Sequence, residues 1–128
     1  MRSLKIEGLD IPWTAITFGC MQIAPSKEWG DVCSVEEADR LVKVALEGGI
    51  MAFDTAECYG NGESERRLGR ALGSRKNDVL IISKITPDAE LTVEAYQSRL
   101  EGTLKNLGRD YVDAYLVHWP GMYIDSMD

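Results

Sequence analysis

Four residues with ionisable side chains, Asp54, Tyr59, Lys84 and His118, each stand at or just after a short apolar stretch. A phenol is a poor proton donor at neutral pH because its pKa lies near about 10. A neighbouring ammonium would stabilise the phenolate, and a carboxylate behind that ammonium would keep it charged and oriented. An imidazole on the other side could donate to the same substrate oxygen. Together the four groups could protonate an oxyanion forming at a carbonyl, as in hydride transfer to an aldehyde or ketone.

Each of these residues also has a purely structural interpretation. Asp54 could begin a turn, and Tyr59 could pack with its hydroxyl in water. Lys84 could be a solvated charge, and His118 beside Trp119 could be an ordinary structural histidine. All four structural interpretations would have to hold at once, so the shared chemical role is favoured.

The elements that must position these residues are predicted to alternate between strands and helices. A short β-hairpin is predicted over 4–13, followed by strands at about 14–19, 50–54, 78–84 and 111–118. This order implies a parallel sheet with right-handed crossovers. An open doubly wound sheet and a β/α barrel both accommodate it. In both folds function gathers at the carboxyl ends of the strands, where the four residues stand.

Three helices with capping signals are predicted to connect the strands. Each begins after a polar side chain that can accept a backbone N–H, and each ends at glycine. Gly102 inside the third helix costs up to about 1 kcal/mol relative to alanine, which suggests close packing there. The predicted caps are Ser34 (with Glu37), Asn61 and Thr92, and the terminating glycines are Gly48, Gly49, Gly73 and Gly108.

Length and charge limit the class of protein. The 128 residues suffice for one core, so a single domain over 1–128 is predicted. The net charge of −7, from 14 basic and 21 acidic residues, argues against nucleic acid and anionic membranes as partners. Three cysteines without C-x-x-C spacing, an N-terminus broken by charges and the lack of any long apolar run favour a reduced, cytoplasmic protein.

Three segments of the sequence resemble successive signatures of the aldo-keto reductase family: FDTAECYGNGESERRLGRAL, IISK and LKNLGRDYVDAYLVHWP. The resemblance implies a (β/α)8 barrel of TIM type, of which only the first four strands are present, preceded by the hairpin that closes the bottom of the family's barrel. It also implies NADPH-dependent reduction of aldehydes or ketones to alcohols. The substrate would therefore be a small carbonyl compound.

The resemblance assigns a role to each of the four residues. Tyr59 would donate the proton, and Lys84 would lower its pKa. Asp54 would pair with Lys84 and lie near the nicotinamide ribose, while His118 would orient the substrate oxygen.

The resemblance also implies binding roles for residues around the same site. Cofactor binding would use Gly19, Cys20, Met21 and Asp54, and substrate binding would use Tyr59, His118, Trp119 and Trp29. Most of the family's contacts to NADPH come from the second half of its barrel, so binding by this chain alone is expected to be weak. Cys20, Cys58 and His118 lack local metal-ligand spacing, and no metal site is predicted.

Three hypotheses account for a chain with four of the eight strands. It is a partial chain of a longer reductase, two copies associate through open sheet edges into a complete barrel, or it is a non-catalytic binding or regulatory module. Residues 121–128 are typical of the start of a further loop and helix, which favours the first hypothesis.

Overall fold

Four parallel strands form the sheet of the protein, whose computed structural model describes residues 1–86 and 92–119. Each strand pairs in parallel with its neighbours, and the four follow one another across the sheet in chain order. One helix lies between each two successive strands along the chain. The strands are β3 Phe18–Gly19, β4 Ala52–Asp54, β5 Leu80–Ile85 and β6 Ala114–Val117, and the helices are α1 Val35–Glu47, α2 Glu63–Leu72 and α3 Val93–Leu107. The predicted alternation and parallel sheet are confirmed.

The predicted N-terminal hairpin is present but short. Strands β1 Ser3–Leu4 and β2 Trp13–Thr14 pair antiparallel through only two residue pairs. The Thr14 hydroxyl donates to the Ile16 carbonyl at 2.8 Å and accepts from the Met51 N–H at 3.2 Å, which joins the hairpin to the segment before β4. Thr14 therefore belongs to the hairpin, and the strand predicted over 14–19 is reduced to Phe18–Gly19.

Two of the three predicted helix caps are correct. The Ser34 side chain accepts from the Glu37 N–H, and the Thr92 side chain accepts from the Ala95 N–H, each at 3.1 Å. The Asn61 cap is wrong, because α2 begins after Gly62 and Asn61 is itself left-handed at φ 53°.

The start of α2 is instead satisfied by backbone carbonyls. The Glu63 N–H donates to the Gly60 carbonyl and the Ser64 N–H to the Tyr59 carbonyl, both at 3.2 Å. No capping side chain is therefore needed, and the glycine-rich turn alone sets where the helix begins.

Close packing occurs at a different glycine from the one predicted. A Cβ on Gly102 would meet no atom within 4 Å, so the expectation of close packing there is wrong. On Gly69 of α2, a Cβ would lie 2.3 Å from the Leu107 carbonyl oxygen at the end of α3. The approach of α2 to α3 therefore requires glycine at position 69.

The core lies between the sheet and the three helices. Phe53 of β4 and Ile81 of β5 are fully buried there, and each helix contributes apolar side chains to the same cluster, including Val42, Leu68 and Leu107. The segment over 121–128 lies outside the described residues. No helix within 1–86 and 92–119 is long and apolar enough to cross a membrane.

Candidate active site

Three of the four residues share one face of the sheet because of the strand register. Asp54 pairs across the sheet with Ile82, and Lys84 lies two residues beyond Ile82. Lys84 pairs with Leu116, and His118 lies two residues beyond Leu116. Side chains alternate between faces along a strand, so Asp54, Lys84 and His118 all lie opposite the helix-covered face. Lys84 lies two residues further toward the carboxyl end of the sheet than Asp54, and His118 lies two residues further than Lys84.

His118 comes one residue after the last residue of β6 but continues its pairing. Its backbone N–H donates to the Ile85 carbonyl at 3.0 Å. The imidazole is thereby held at the carboxyl end of the sheet, next to Lys84.

The Lys84 ammonium is held by two oxygens. It donates to the Asp54 carboxylate and, at 2.7 Å, to the Thr55 carbonyl. The Lys84 side chain is 12% exposed and that of Asp54 is 35% exposed, so the pair is largely removed from water. Thr55 is fixed in turn, because its N–H donates to the Ile82 carbonyl at 2.8 Å. The end of β4 therefore orients the ammonium.

Tyr59 reaches the site from the turn after β4. Its N–H donates to the Ala56 carbonyl at 3.1 Å, and Gly60 follows at φ 59°. A Cβ on Gly60 would lie 2.9 Å from the Ala24 Cβ, so glycine is required for both the turn and the close contact. The phenol is thereby brought to the face that carries Lys84 and His118.

The phenol contacts the imidazole directly and the ammonium through its ring. Tyr59 Oη lies 3.2 Å from His118 Nε2, and the Lys84 Nζ lies 5.3 Å from the centroid of the Tyr59 ring. Among the described residues, Lys84 donates to Asp54 and Thr55 rather than to the phenol.

The pKa of Tyr59 is raised above its ordinary value, contrary to the expectation that Lys84 would lower it. Burial is the largest cause, and the negative charge of Asp54 adds to it. The Asp54 carboxylate would repel a phenolate at this position. Tyr59 in the free chain therefore carries its proton at neutral pH.

His118 is neutral at neutral pH. Burial lowers the pKa of its imidazole, and the nearby Lys84 charge lowers it further. The His118 Nδ1 lies 3.3 Å from the Sγ of Cys58, and the indole of Trp119 packs on the ring at a centroid distance of 4.5 Å. The imidazole thus has a sulfur at one nitrogen and a phenol at the other.

Two contacts of this turn were missed at the sequence level. The sequence analysis weighs Cys58 with Cys20 and His118 only as possible metal ligands. The hydrogen bond between Cys58 and His118 follows from no local pattern, because the two residues are 60 positions apart. Glu57 accepts from the Thr86 N–H and from Arg99 Nη2, each at 2.5 Å. Burial alone would raise the pKa of Glu57, but these hydrogen bonds outweigh burial and the net shift is downward. An ionised Glu57 therefore anchors the turn that carries Cys58 and Tyr59.

The comparison with known families agrees with this geometry. A sequence profile of the Aldo/keto reductase family matches residues 15–128. The chain belongs to the aldo-keto reductase family. The resemblance of the three sequence segments is thereby confirmed.

Aldo-keto reductases of mycobacteria are among its relatives. The chain is 39% identical over 130 residues to an aldo-keto reductase of Mycobacterium sp. (strain MCS), covering 98% of this chain and 45% of that protein. It is 41% identical over 98 residues to one of Mycolicibacterium smegmatis, covering 73% of this chain and 34% of that protein.

Solved aldo-keto reductases share its fold. The thermostable aldo-keto reductase Tm1743, solved with the inhibitor epalrestat, superposes with a TM-score of 0.82 at 36% identity, over 97% of this chain and 45% of that one. An aldo-keto reductase of Klebsiella pneumoniae in complex with NADPH gives 0.74 at 26% identity, over 84% and 36%. The chain thus spans between a third and a half of the length of these relatives, as expected for part of a (β/α)8 barrel.

The residues that the family resemblance assigns to the cofactor lie at the end of β3. Gly19 is the register partner of Asp54, and no atom lies within 4 Å of the position that its Cβ would occupy. Met21 is exposed, whereas Cys20 is fully buried and its N–H donates to the Asp54 carbonyl at 2.8 Å. Open space therefore adjoins Asp54 at Gly19, and the hydrogen bond from the Cys20 N–H holds the Asp54 backbone in place. The cofactor roles of these residues stay predictions.

One of the two tryptophans assigned to the substrate lines a cavity together with Tyr59, and the other packs on His118. Trp29 and Met21 line a cavity of about 380 Å³ that Cys58 and Tyr59 also line. Trp29 is anchored there, because its Nε1–H donates to the Ala24 carbonyl at 3.3 Å. Trp119 is exposed, and its indole packs on the His118 imidazole. Their substrate roles stay predictions. Among the described residues, no three His, Cys, Asp or Glu side chains come together as a metal-binding group.

Proposed function

We propose that this chain carries the catalytic residues of an NAD(P)H-dependent aldo-keto reductase that reduces aldehydes or ketones to alcohols. The observation that carries the proposal is the position of the Tyr59 phenol, whose Oη lies 3.2 Å from His118 Nε2, with the Lys84 ammonium 5.3 Å from its ring. The NADPH complex of the Klebsiella pneumoniae relative supports the choice of cofactor.

In this proposal the Tyr59 hydroxyl donates its proton to the carbonyl oxygen as negative charge develops there. The His118 Nε2–H donates to the same oxygen and orients it. Lys84 stabilises the phenolate that Tyr59 becomes, and Asp54 holds the ammonium in place. Asp54 and the open space at Gly19 fit the nicotinamide ribose end of NADPH, which would supply the hydride when bound.

The proposed activity belongs to a completed barrel. The chain spans less than half of its reductase relatives, and we infer that NADPH binds weakly to this chain alone. We also place the protein in the reducing cytoplasm, because its three cysteines are free thiols and Cys58 is exposed.

The test joins the chain to the C-terminal half of the Mycobacterium sp. (strain MCS) relative and follows NADPH oxidation with a simple aldehyde. Tyr59→Phe should lower kcat by about 10²–10⁴, because the proton donor is lost. Tyr111→Phe, which removes an exposed hydroxyl elsewhere, should leave kcat unchanged.

Equal turnover in wild type and Tyr59→Phe would remove Tyr59 from its role. NADPH binding by fluorescence titration without turnover in either protein would favour the non-catalytic module instead.

A further inference from the structure

We propose that Cys58 is a positioning residue for His118: its sulfur holds the imidazole at Nδ1, so that Nε2 carries the N–H and faces the reacting oxygen beside Tyr59. The proposal rests on the proposed function for the meaning of that oxygen. Its evidence is the geometry of the ring and its two neighbours.

The imidazole is held at both nitrogens by adjacent residues of one turn. Cys58 Sγ lies 3.3 Å from Nδ1, and Tyr59 Oη lies 3.2 Å from Nε2. Contacts at two sides of the ring fix its rotation about the Cβ–Cγ bond. The turn is itself fixed through Glu57, which binds the Thr86 N–H and the Arg99 guanidinium. The fold therefore fixes the position of the sulfur against the ring.

The chemistry of a neutral imidazole makes this contact matter. Such a ring has one N–H and one accepting nitrogen, so Nε2 can donate only when Nδ1 accepts. In the proposed arrangement the Cys58 S–H donates to Nδ1, which lies 3.3 Å from the sulfur. Without this donor, the Nδ1–H tautomer could form and the Tyr59 O–H could donate to Nε2. The Tyr59 and His118 protons would then not both point at the substrate oxygen. Cys58 thus keeps the Tyr59 and His118 protons available together.

The protonation states of the groups around the ring agree with this arrangement. Cys58 is exposed as a residue, but partial burial of its sulfur raises the pKa of the thiol, which keeps its S–H at neutral pH. Burial and then Lys84 lower the pKa of His118, whereas the charges of Asp54 and Glu57 oppose that shift. A protonated thiol therefore meets a neutral imidazole.

The chain contains a single histidine, so its nitrogen signals in a ¹⁵N–¹H NMR spectrum belong to His118 without further assignment. We compare tautomers in a Tyr59→Phe background, where the phenol no longer competes for the ring. Tyr59→Phe alone should show the Nε2–H tautomer. Adding Cys58→Ala should shift the ratio toward that of a solvated imidazole, whereas adding Cys58→Ser, which retains a donor, should preserve the Nε2–H form.

A matched control is Cys33→Ala, which removes a buried thiol that hydrogen-bonds to the Ser34 carbonyl, and should leave the tautomer unchanged. The proposal is overturned if Cys58→Ala leaves the ratio as in Tyr59→Phe, or if Tyr59→Phe shows the Nδ1–H tautomer, which would make the sulfur an acceptor. Dispersed amide signals verify that each variant folds.

Turnover gives a second measurement in the completed barrel with Tyr59 intact. Cys58→Ala should lower kcat about two- to tenfold, the effect of one neutral hydrogen bond, and Cys58→Ser should restore most of it. A barrel that turns over no carbonyl would count against the proposed function alone, because the tautomer ratio is measured without turnover.

Discussion

The Asp54 carboxylate has opposite effects on its two neighbours in the site. It accepts from the Lys84 ammonium, and its charge raises the pKa of the Tyr59 phenol. In the proposed reaction the carboxylate would keep the proton on Tyr59 until a substrate oxygen takes it, and it would hold in place the cation that stabilises the resulting phenolate. In the proposed reaction Asp54 thus influences both the protonated and the ionised form of Tyr59.

Replacing Asp54 by asparagine should therefore lower the pKa of Tyr59. The amide removes the negative charge that disfavours the phenolate, and Lys84 keeps its bond to the Thr55 carbonyl. The measurement is a spectrophotometric tyrosinate titration, with the matching Tyr59→Phe variant subtracted in each background. Asp10→Asn on the exposed hairpin is the control. An unchanged or higher Tyr59 pKa in Asp54→Asn would contradict this account.

At the level of elements, two glycines in helices have opposite consequences for stability. Gly69→Ala should destabilise the protein by about 1–3 kcal/mol, because its Cβ would lie 2.3 Å from the Leu107 carbonyl and push α2 away from α3. Gly102→Ala meets no atom within 4 Å and should stabilise α3 by up to about 1 kcal/mol. Urea unfolding of both variants measures the two signs. Shifts of the same sign would refute the packing argument.

The same elements show how far sequence patterns reach. Ser34 and Thr92 were predictable caps because each stands directly before its helix and bonds locally. Gly69 was not singled out, because its requirement comes from a carbonyl on another helix. The ends of the strands, and hence the neighbourhood of Asp54 and Lys84, followed from apolar runs.

Local sequence patterns could not predict the register of the strands. The row on which His118 lies is set by pairing with β5, and its contact with Cys58 joins residues 60 positions apart. The raised pKa of Tyr59 depends on burial and on the nearby Asp54 charge, which only the packed structure defines.

At the level of the whole molecule, β3 and β6 are the edge strands of the sheet within the described residues, and each pairs on one side only. Leu116 and Val117 of β6 are each 46% exposed, although both are apolar. A two-fold axis along the barrel would bring β6 of one copy beside β3 of another in parallel orientation, at both seams.

We therefore predict that this chain alone self-associates as its concentration rises, and that the C-terminal half of a reductase relative competes with this association. Light scattering across a concentration series measures it. Leu116→Lys should weaken the association, because a charge on an edge strand opposes pairing, whereas Val93→Lys on the exposed surface of α3 should have no effect. A monomer at every concentration would exclude dimeric closure.

The stepwise placement of Asp54, Lys84 and His118 across the sheet has a practical outcome for engineering chimeras. A single residue inserted into β5 before Ser83 would move Ser83 into the position that Lys84 now occupies. Lys84 would then no longer lie beside Asp54 and His118, even if the barrel still assembled. Strands of this scaffold should therefore tolerate substitution but not changes of length. A replacement for α2 or α3 must keep Gly69 against Leu107 and Arg99 beside Glu57.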